Sequence, residues 1–266
     1  MTEATPKLSV FIIARDEEDR IPLVIRSVID WVDEVLVVDS GSLDETVAVS
    51  EALGAKVLHR NWEGFGPQKV FAEEQCRNDW ILAIDADEPL SDELAREIQD
   101  LFSSGDYKKA DYYWTKIANI FPFEEKPAPW AFKVKRVSLY DRRKAGFSSS
   151  IVHDNVVPAA GAREGRLENV IVHHSHRSLE FQVGKYNAYT KLQVKDLAAK
   201  GRRLPRIRLI TEFPLAFFKA YVQRKYMFYG FWGIVLAINY AYLRFLRVAK
   251  AYEHDIFPTS DDTKGE

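Results

Sequence analysis

Over the first hundred positions, apolar residues follow two alternating rhythms. Leu8–Ala14 (LSVFIIA), Glu34–Asp39 (EVLVVD), Lys56–Arg60 and Asp79–Asp85 (DWILAID) are short runs rich in apolar residues, the pattern of strands buried on both faces. Between them, Asp19–Trp31 carries Ile21, Val24, Ile25 and Val28 at helical spacing. Asp44–Leu53, Pro67–Arg77 and Asp92–Phe102 read as further helices. Strand and helix in alternation predict a doubly wound α/β sheet with right-handed crossovers. The carboxyl ends of its parallel strands then share one edge, and ligands of such sheets bind outside that edge.

The texture changes after about residue 104. Tyr112–Ile117, Phe132–Tyr140, Ile151–Pro158 and Arg166–Val172 read as strands of an α+β part, and Leu179–Lys200 as a helix. From 202 to 225 the basic residues Arg202, Arg203, Arg206, Arg208, Lys219, Arg224 and Lys225 are interleaved with apolar bulk, against a single acid, Glu212. Tyr226–Leu243 then holds no charged residue and contains Gly230 and Gly233. Basic flanks around an aromatic-rich apolar run suit a membrane interface. The uncharged run is near the shortest that could span a bilayer, and a buried helical hairpin or an oligomer interface is the alternative. The pattern divides the chain into 1–103, 104–200, 201–252 and a polar, flexible tail, 253–266.

Composition narrows the function classes. Of 266 residues, 47% are hydrophobic and 29% charged, which excludes a disordered chain. Lys+Arg 37 against Asp+Glu 39 gives a net charge of -2, without the basic surplus of bulk nucleic-acid binding. The single cysteine, Cys76, excludes an intramolecular disulfide and a cysteine-based zinc site, and fits a reducing compartment. Ser9–Ala14 is too short for the apolar core of a signal peptide and is followed by the densely charged Arg15–Arg20.

Three acidic motifs fall at expected strand ends: Asp16-Glu17-Glu18, Asp39-Ser40-Gly41-Ser42-Leu43-Asp44 and Asp85-Ala86-Asp87-Glu88. Any one of them could be a turn or a helix cap. Three at one sheet edge would repel one another unless a cation or hydrogen-bond donors offset the cost. In an extended segment Asp85 and Asp87 share a face, and oxygen ligands of that kind suit Mg²⁺ or Mn²⁺ together with a substrate diphosphate. Gly64-Phe65-Gly66-Pro67-Gln68-Lys69 departs from a dinucleotide fingerprint in lacking the last glycine. Lys69 is a phosphate contact or a solvated helix lysine. Trp62, Trp114 and Trp130 are sugar-stacking candidates, with core packing as the ordinary reading.

These motifs, in this order and spacing over residues 7–100, resemble the family 2 glycosyltransferases. Gly64–Lys69, Val152-His153-Asp154 and Val172-His173-His174-Ser175-His176-Arg177-Ser178 extend the resemblance toward the lipopolysaccharide core β-1,4-glucosyltransferase group. The resemblance implies a GT-A type doubly wound mixed sheet with an acceptor-binding α+β part and a C-terminal helical, membrane-associating segment. Residues 1–103 would bind the nucleotide sugar, 104–200 would carry acceptor binding and catalysis, and 201–252 would meet the membrane. It implies an inverting, metal-dependent transfer of a hexose, such as glucose, from a nucleotide diphosphate sugar to a lipid-linked glycan. A UDP-sugar is the favoured donor. The cofactor would be Mg²⁺ or Mn²⁺ and the location the cytoplasmic face of the inner membrane, with no nucleic acid partner. By the same resemblance, Ala14, Glu17, Asp39, Lys69, Asp85 and Ala86 would contact the nucleotide sugar, Asp87 and His173 the metal, and Asp154 would be the catalytic base. Asp16 and Val70 stand where relatives usually or frequently carry asparagine, and Asp154 where they often carry glutamate. A non-catalytic scaffold that kept the fold and a sugar nucleotidyltransferase are the competing classes. The first would tolerate loss of the acidic motifs. The second would need a glycine- and arginine-rich loop that Ala14-Arg15-Asp16-Glu17 does not match.

Overall fold

The computed structural model describes residues 7–121, 123–148, 155–174 and 176–257. The chain forms two compact units. The first comprises residues 1–127 and 133–175, the second 128–132 and 176–266.

The first unit is built on a seven-stranded mixed sheet. Its strands are β1 (Leu8–Ala14), β2 (Glu34–Asp39), β3 (Lys56–His59), β4 (Trp80–Asp85), β5 (Tyr112–Asn119), β6 (Lys133–Asp141) and β9 (Glu164–His173). The order is β3-β2-β1-β4-β6-β5-β9, the mixed α/β sheet of GT-A type that the sequence led us to expect. β1 runs parallel to β2 and β4, and β6 antiparallel to β4 and β5. A two-stranded sheet of β7 (Ala145–Phe147) and β8 (Val156–Pro158) lies beside it in sequence. β7 was not expected, and β8 covers the last three residues of the predicted strand Ile151–Pro158, whose first four lie outside the described residues.

Alternation along the central strands sorts their side chains onto two cores. Val10, Ile12, Val37, Leu82 and Ile84 pack with Ile21, Val24 and Ile25 of α1 (Ile21–Arg26) and with Leu94 and Ile98 of α4 (Asp92–Ser103). Phe11, Leu36, Val38, Ile81 and Ala83 face Ala72 of α3 (Phe65–Gln75) and Tyr140. α2 (Thr46–Ala52) links β2 to β3. The predicted helix Asp19–Trp31 is a single short helix followed by turns. Ser27 ends it, its hydroxyl donating to the Val24 carbonyl at 2.7 Å, and tight bonds such as Val28 N–H to Ile25 carry the chain on. Ile21, Val24, Ile25 and Val28 are nonetheless all buried, as their spacing predicted.

The second unit contains α5 (Leu179–Ala199), α6 (Arg208–Phe218), a π-helical turn (Lys219–Gln223), a 3₁₀ turn (Tyr226–Tyr229) and α7 (Gly230–Ile256). Ser178 caps α5 by accepting the Phe181 N–H at 3.0 Å. Lys225 and Gly230, with φ of 61° and 59°, turn the chain into α7. Gly233 is needed for a different reason: a Cβ there would lie 1.8 Å from the Tyr226 carbonyl oxygen.

Candidate active site

Register brings the three acidic motifs together. Ala14 of β1 pairs with Asp39 of β2, and Ile13 with Asp85 of β4, so all three motifs leave the sheet at one edge. β5 and β9 run parallel with Asn119 opposite His173. Beyond β4 the chain then meets the end of β9: the Val172 N–H donates to Pro89 and the His174 N–H to Asp87, each at 2.9 Å. This crossing sets His173 beside Asp87, residues remote in sequence.

The loops after β1 and β2 are stitched to each other. Asp39 is buried and accepts from the Gly41 N–H at 2.8 Å, the Ser42 N–H at 3.0 Å and the Ser42 hydroxyl. Gly41 takes φ +87°, a region glycine enters freely. Asp16 also lies in the left-handed region, with φ 54°. Its N–H donates to Ser42 Oγ at 2.9 Å and its carboxylate accepts the Leu43 N–H at 2.8 Å. Asparagine and aspartate are the residues that tolerate this conformation, so the departure from asparagine at Asp16 preserves the turn. The Glu17 N–H donates to Thr46 Oγ1 at 2.7 Å.

Protein cations offset the gathered negative charge. The Asp85 carboxylate lies 2.8 Å from Lys69 Nζ and 3.0 Å from Arg136 Nη1. Burial alone would raise its pKa, but Lys69 and Arg136 outweigh burial and hold it well below the usual carboxylate range. Arg136 also reaches buried Glu88, which accepts the Asp85 N–H at 3.0 Å. Lys69 is only 2% exposed, which overturns the solvated-lysine alternative. The extended reading of 85–87 is also corrected. Ala86 and Asp87 turn away from the strand, with the Glu88 N–H donating to the Asp85 carbonyl at 3.0 Å. The two carboxylates therefore have separate partners rather than a common face.

Arg20 was missed in the sequence. Its guanidinium makes a bidentate pair with Glu17 at 2.7 Å and also reaches Asp87 at 3.1 Å and the His174 carbonyl at 3.0 Å. One side chain thus ties the loop after β1 to those after β4 and β9. The separation of Glu17 and Arg20 by three positions was the available signal. His173 Nε2 lies 3.5 Å from Asp87, and its Nδ1 lies 2.9 Å from Asn119 Oδ1. With that oxygen as acceptor, Nδ1 carries the proton and the ring is oriented. Burial lowers the His173 pKa, but the hydrogen bond and charge of Asp87 outweigh it and the net shift is upward. Asp87 shifts down: burial opposes the shift, but His173 and Arg20 prevail.

Asp154 and His153 lie outside the described residues. Ala14 and Ala86 are buried at the strand ends. His176 is buried edge-on against Trp232 in the second unit. Arg177 stacks over the Phe181 ring. Trp62 meets Phe65 edge to face, and Trp130 packs near Phe228. A cavity of about 950 Å³ lies at the opposite end of the sheet, lined by Lys7, Trp31, Asn78 and Trp80. Arginines on its wall are already paired, Arg163 with Asp111 and Arg143 with Asp141. The acidic cluster sits instead where parallel strands end, the edge at which α/β sheets bind ligands.

The family model for glycosyl transferase family 2 matches residues 9–150. A relative from Rickettsia felis, described as an uncharacterized glycosyltransferase, is 43% identical over 255 residues, covering 93% of this chain and 90% of the relative. The lipopolysaccharide core biosynthesis glycosyltransferase LpsC of Rhizobium meliloti is 28% identical over 265 residues, covering 96% of each chain. Among solved structures, S. aureus TarS 1-349 aligns with a TM-score of 0.46 at 14% identity, over 95% of this chain and 92% of that one; a likeness this distant carries no functional argument. The chain belongs to glycosyl transferase family 2, and is a glycosyltransferase that uses a nucleotide sugar.

Proposed function

We propose that the reaction is an inverting, divalent-metal-assisted transfer of a hexose, such as glucose, from a nucleoside diphosphate sugar to a lipid-linked glycan of the lipopolysaccharide core kind. A UDP-sugar is the favoured donor. The enzyme would work peripherally, on the cytoplasmic face of the inner membrane. The observation that carries the reading is the facing pair Asp87 and His173, 3.5 Å apart, at the end of β4 beside Asp85. The name and 28% identity of the Rhizobium meliloti relative support the acceptor class.

In this reading Glu17 and Asp39 hold the base and ribose. Ala14, Lys69, Asp85 and Ala86 line the nucleotide sugar, and Asp87 and His173 hold Mg²⁺ or Mn²⁺. The donor set fits such a cation. Among the described residues no group of three or more acidic, histidine or cysteine side chains forms a metal cage. Magnesium in particular commonly takes one or two protein ligands and completes its shell with substrate phosphates and water. When bound, the cation neutralises charge developing on the leaving diphosphate. His173 must give up its Nε2 proton to serve as a ligand, and Asn119 keeps the ring aimed while it does so. Lys69 and Arg136 hold positive charge next to Asp85, where a diphosphate adds negative charge. Asp154, in the segment outside the described residues, accepts the proton of the acceptor hydroxyl. The hydroxyl oxygen attacks the anomeric carbon from the face opposite the diphosphate as the bond to that group breaks. The base must come within about 2.6–3.2 Å of the hydroxyl, and no covalent enzyme intermediate is required.

The test is sugar transfer from UDP-glucose to a purified core acceptor in the presence of Mn²⁺. Asp87→Ala is expected to lose at least about 100-fold in kcat while remaining folded by circular dichroism. Full activity of that variant would refute the metal assignment.

A further inference from the structure

α6 is amphipathic in the inverted sense. Its buried positions recur every four residues, at Glu212, Ala216 and then Ala220 in the following turn, and consist of one acid and two small residues. The opposite face is apolar and open. Ile207, Ile210 and Phe218 lie along it at helical spacing, 61%, 74% and 60% exposed, with Leu215 at its margin 67% exposed. Isolated apolar residues on a surface are ordinary, but a contiguous stripe is not.

The charges on the same segment indicate what covers the stripe. Between Gly201 and Gly230 the only acid is Glu212, and it is buried, accepting from Arg208 at 2.6 Å and Arg244 at 2.9 Å, with Arg247 at 3.8 Å. Arg202 and Arg206 before the stripe, and Lys219 and Lys225 after it, are exposed. An apolar stripe between basic ends matches an anionic bilayer surface, with side chains entering the headgroup boundary and cations meeting lipid phosphates. A second copy of the chain fits poorly, because a self-complementary contact would set the basic ends of α6 against like charge.

α7 is long and apolar enough to be weighed as a span by length and composition, but its side chains are committed elsewhere. Asn239 donates to Gln182 of α5 at 2.5 Å, Arg244 binds Glu212 of α6, and Lys250 donates to Thr190 of α5 at 3.0 Å. As a lone span α7 would carry those polar groups into hydrocarbon. It could not take α5 with it, since that helix carries Lys185, Lys191, Lys195 and Asp196.

We propose that the outer face of α6 is the membrane-docking surface of this protein, lying in the interface of a bilayer rich in anionic lipid, with α7 as its internal support and not a span. This deepens the reading of a lipid-linked acceptor and rests on that reading only for its biological purpose.

The test is flotation of the full chain with phosphatidylcholine vesicles, with and without phosphatidylglycerol. Binding is expected only with the anionic lipid, is weakened by high salt, and falls about tenfold or more when Ile210→Ser and Phe218→Ser are combined. The melting temperature of that variant should match the parent, since both side chains are exposed. Equal flotation of variant and parent would overturn the proposal. So would a parent that ignores vesicles and forms a dimer the substitutions dissolve, or one that stays in membranes after alkaline and high-salt washing, as a span would. UDP titration of the same preparations reports on the proposed reaction separately, so failure there leaves the vesicle result standing.

Discussion

The two units treat charge and apolar surface in opposite ways. In the first, the sheet buries Val10, Ile12, Leu36 and Leu82 completely and sends its carboxylates to one end, where Arg20, Lys69 and Arg136 meet them. In the second, α6 turns Glu212 inward among arginines and leaves Ile210 and Phe218 outside. A chain surrounded by water alone has reason to adopt only the first arrangement. The difference teaches that burial follows the solvent a surface meets, and that an inward acid with an outward isoleucine indicates a second solvent.

Stability measurements can break this comparison. The largest effect is expected in the sheet. Leu82→Ala removes a fully buried side chain and should cost about 2–5 kcal/mol by denaturant unfolding. A loss near zero would mean that the sheet is not the core of its unit. Glu212→Gln comes next. It leaves Arg208, Arg244 and Arg247 without their shared carboxylate, and should cost about 2–3 kcal/mol, less than a fully buried pair because the arginines are partly exposed. The pH dependence has a definite sign. Burial raises the Glu212 pKa, but Arg208 and Arg244 outweigh it and lower it below the ordinary value. A depressed folded pKa contributes stability that is fully present above the unfolded value of about 4.3 and is lost as pH falls through the folded one. The gap in melting temperature between the parent and Glu212→Gln should therefore close on acidification below that value, and a constant gap would contradict the ion-pair account. The smallest effect belongs to Ile210→Ala. Its side chain touches solvent, so unfolding in buffer should change by less than about 0.5 kcal/mol, while vesicle binding falls. A core-sized loss in buffer would show that the α6 stripe is packed against protein.

Much of the first unit was legible because its central strands are buried on both faces. Continuous runs such as Leu8–Ala14 and Glu34–Asp39 leave no ambiguity of period, and their observed bounds match residue for residue. The short β7, Ala145-Gly146-Phe147, offered no run to read. The acidic motifs were visible because each follows a strand, but their counter-charges were not. Arg136 is 51 positions from Asp85 and Arg20 is 67 from Asp87, and only the antiparallel return of β6 and the folding of the loops bring them close. Lys69 could be read from sequence as a phosphate contact or as a solvated helix lysine, and only its burial beside Asp85 decides against the second. The apolar and basic character of α6 was equally plain and suited a membrane interface, but which of its faces stays open emerges only from the packing around Glu212.

The central claim is that the β4 edge holds a nucleoside diphosphate through a cation on Asp87 and His173. Calorimetric titration of UDP into the purified protein, with and without Mn²⁺, tests it most directly, with Asp87→Ala as the control. The account predicts binding that requires Mn²⁺ and disappears in the variant, with both proteins folded by circular dichroism at the temperature of the titration. UDP binding of equal strength without the metal, or in Asp87→Ala, would contradict it.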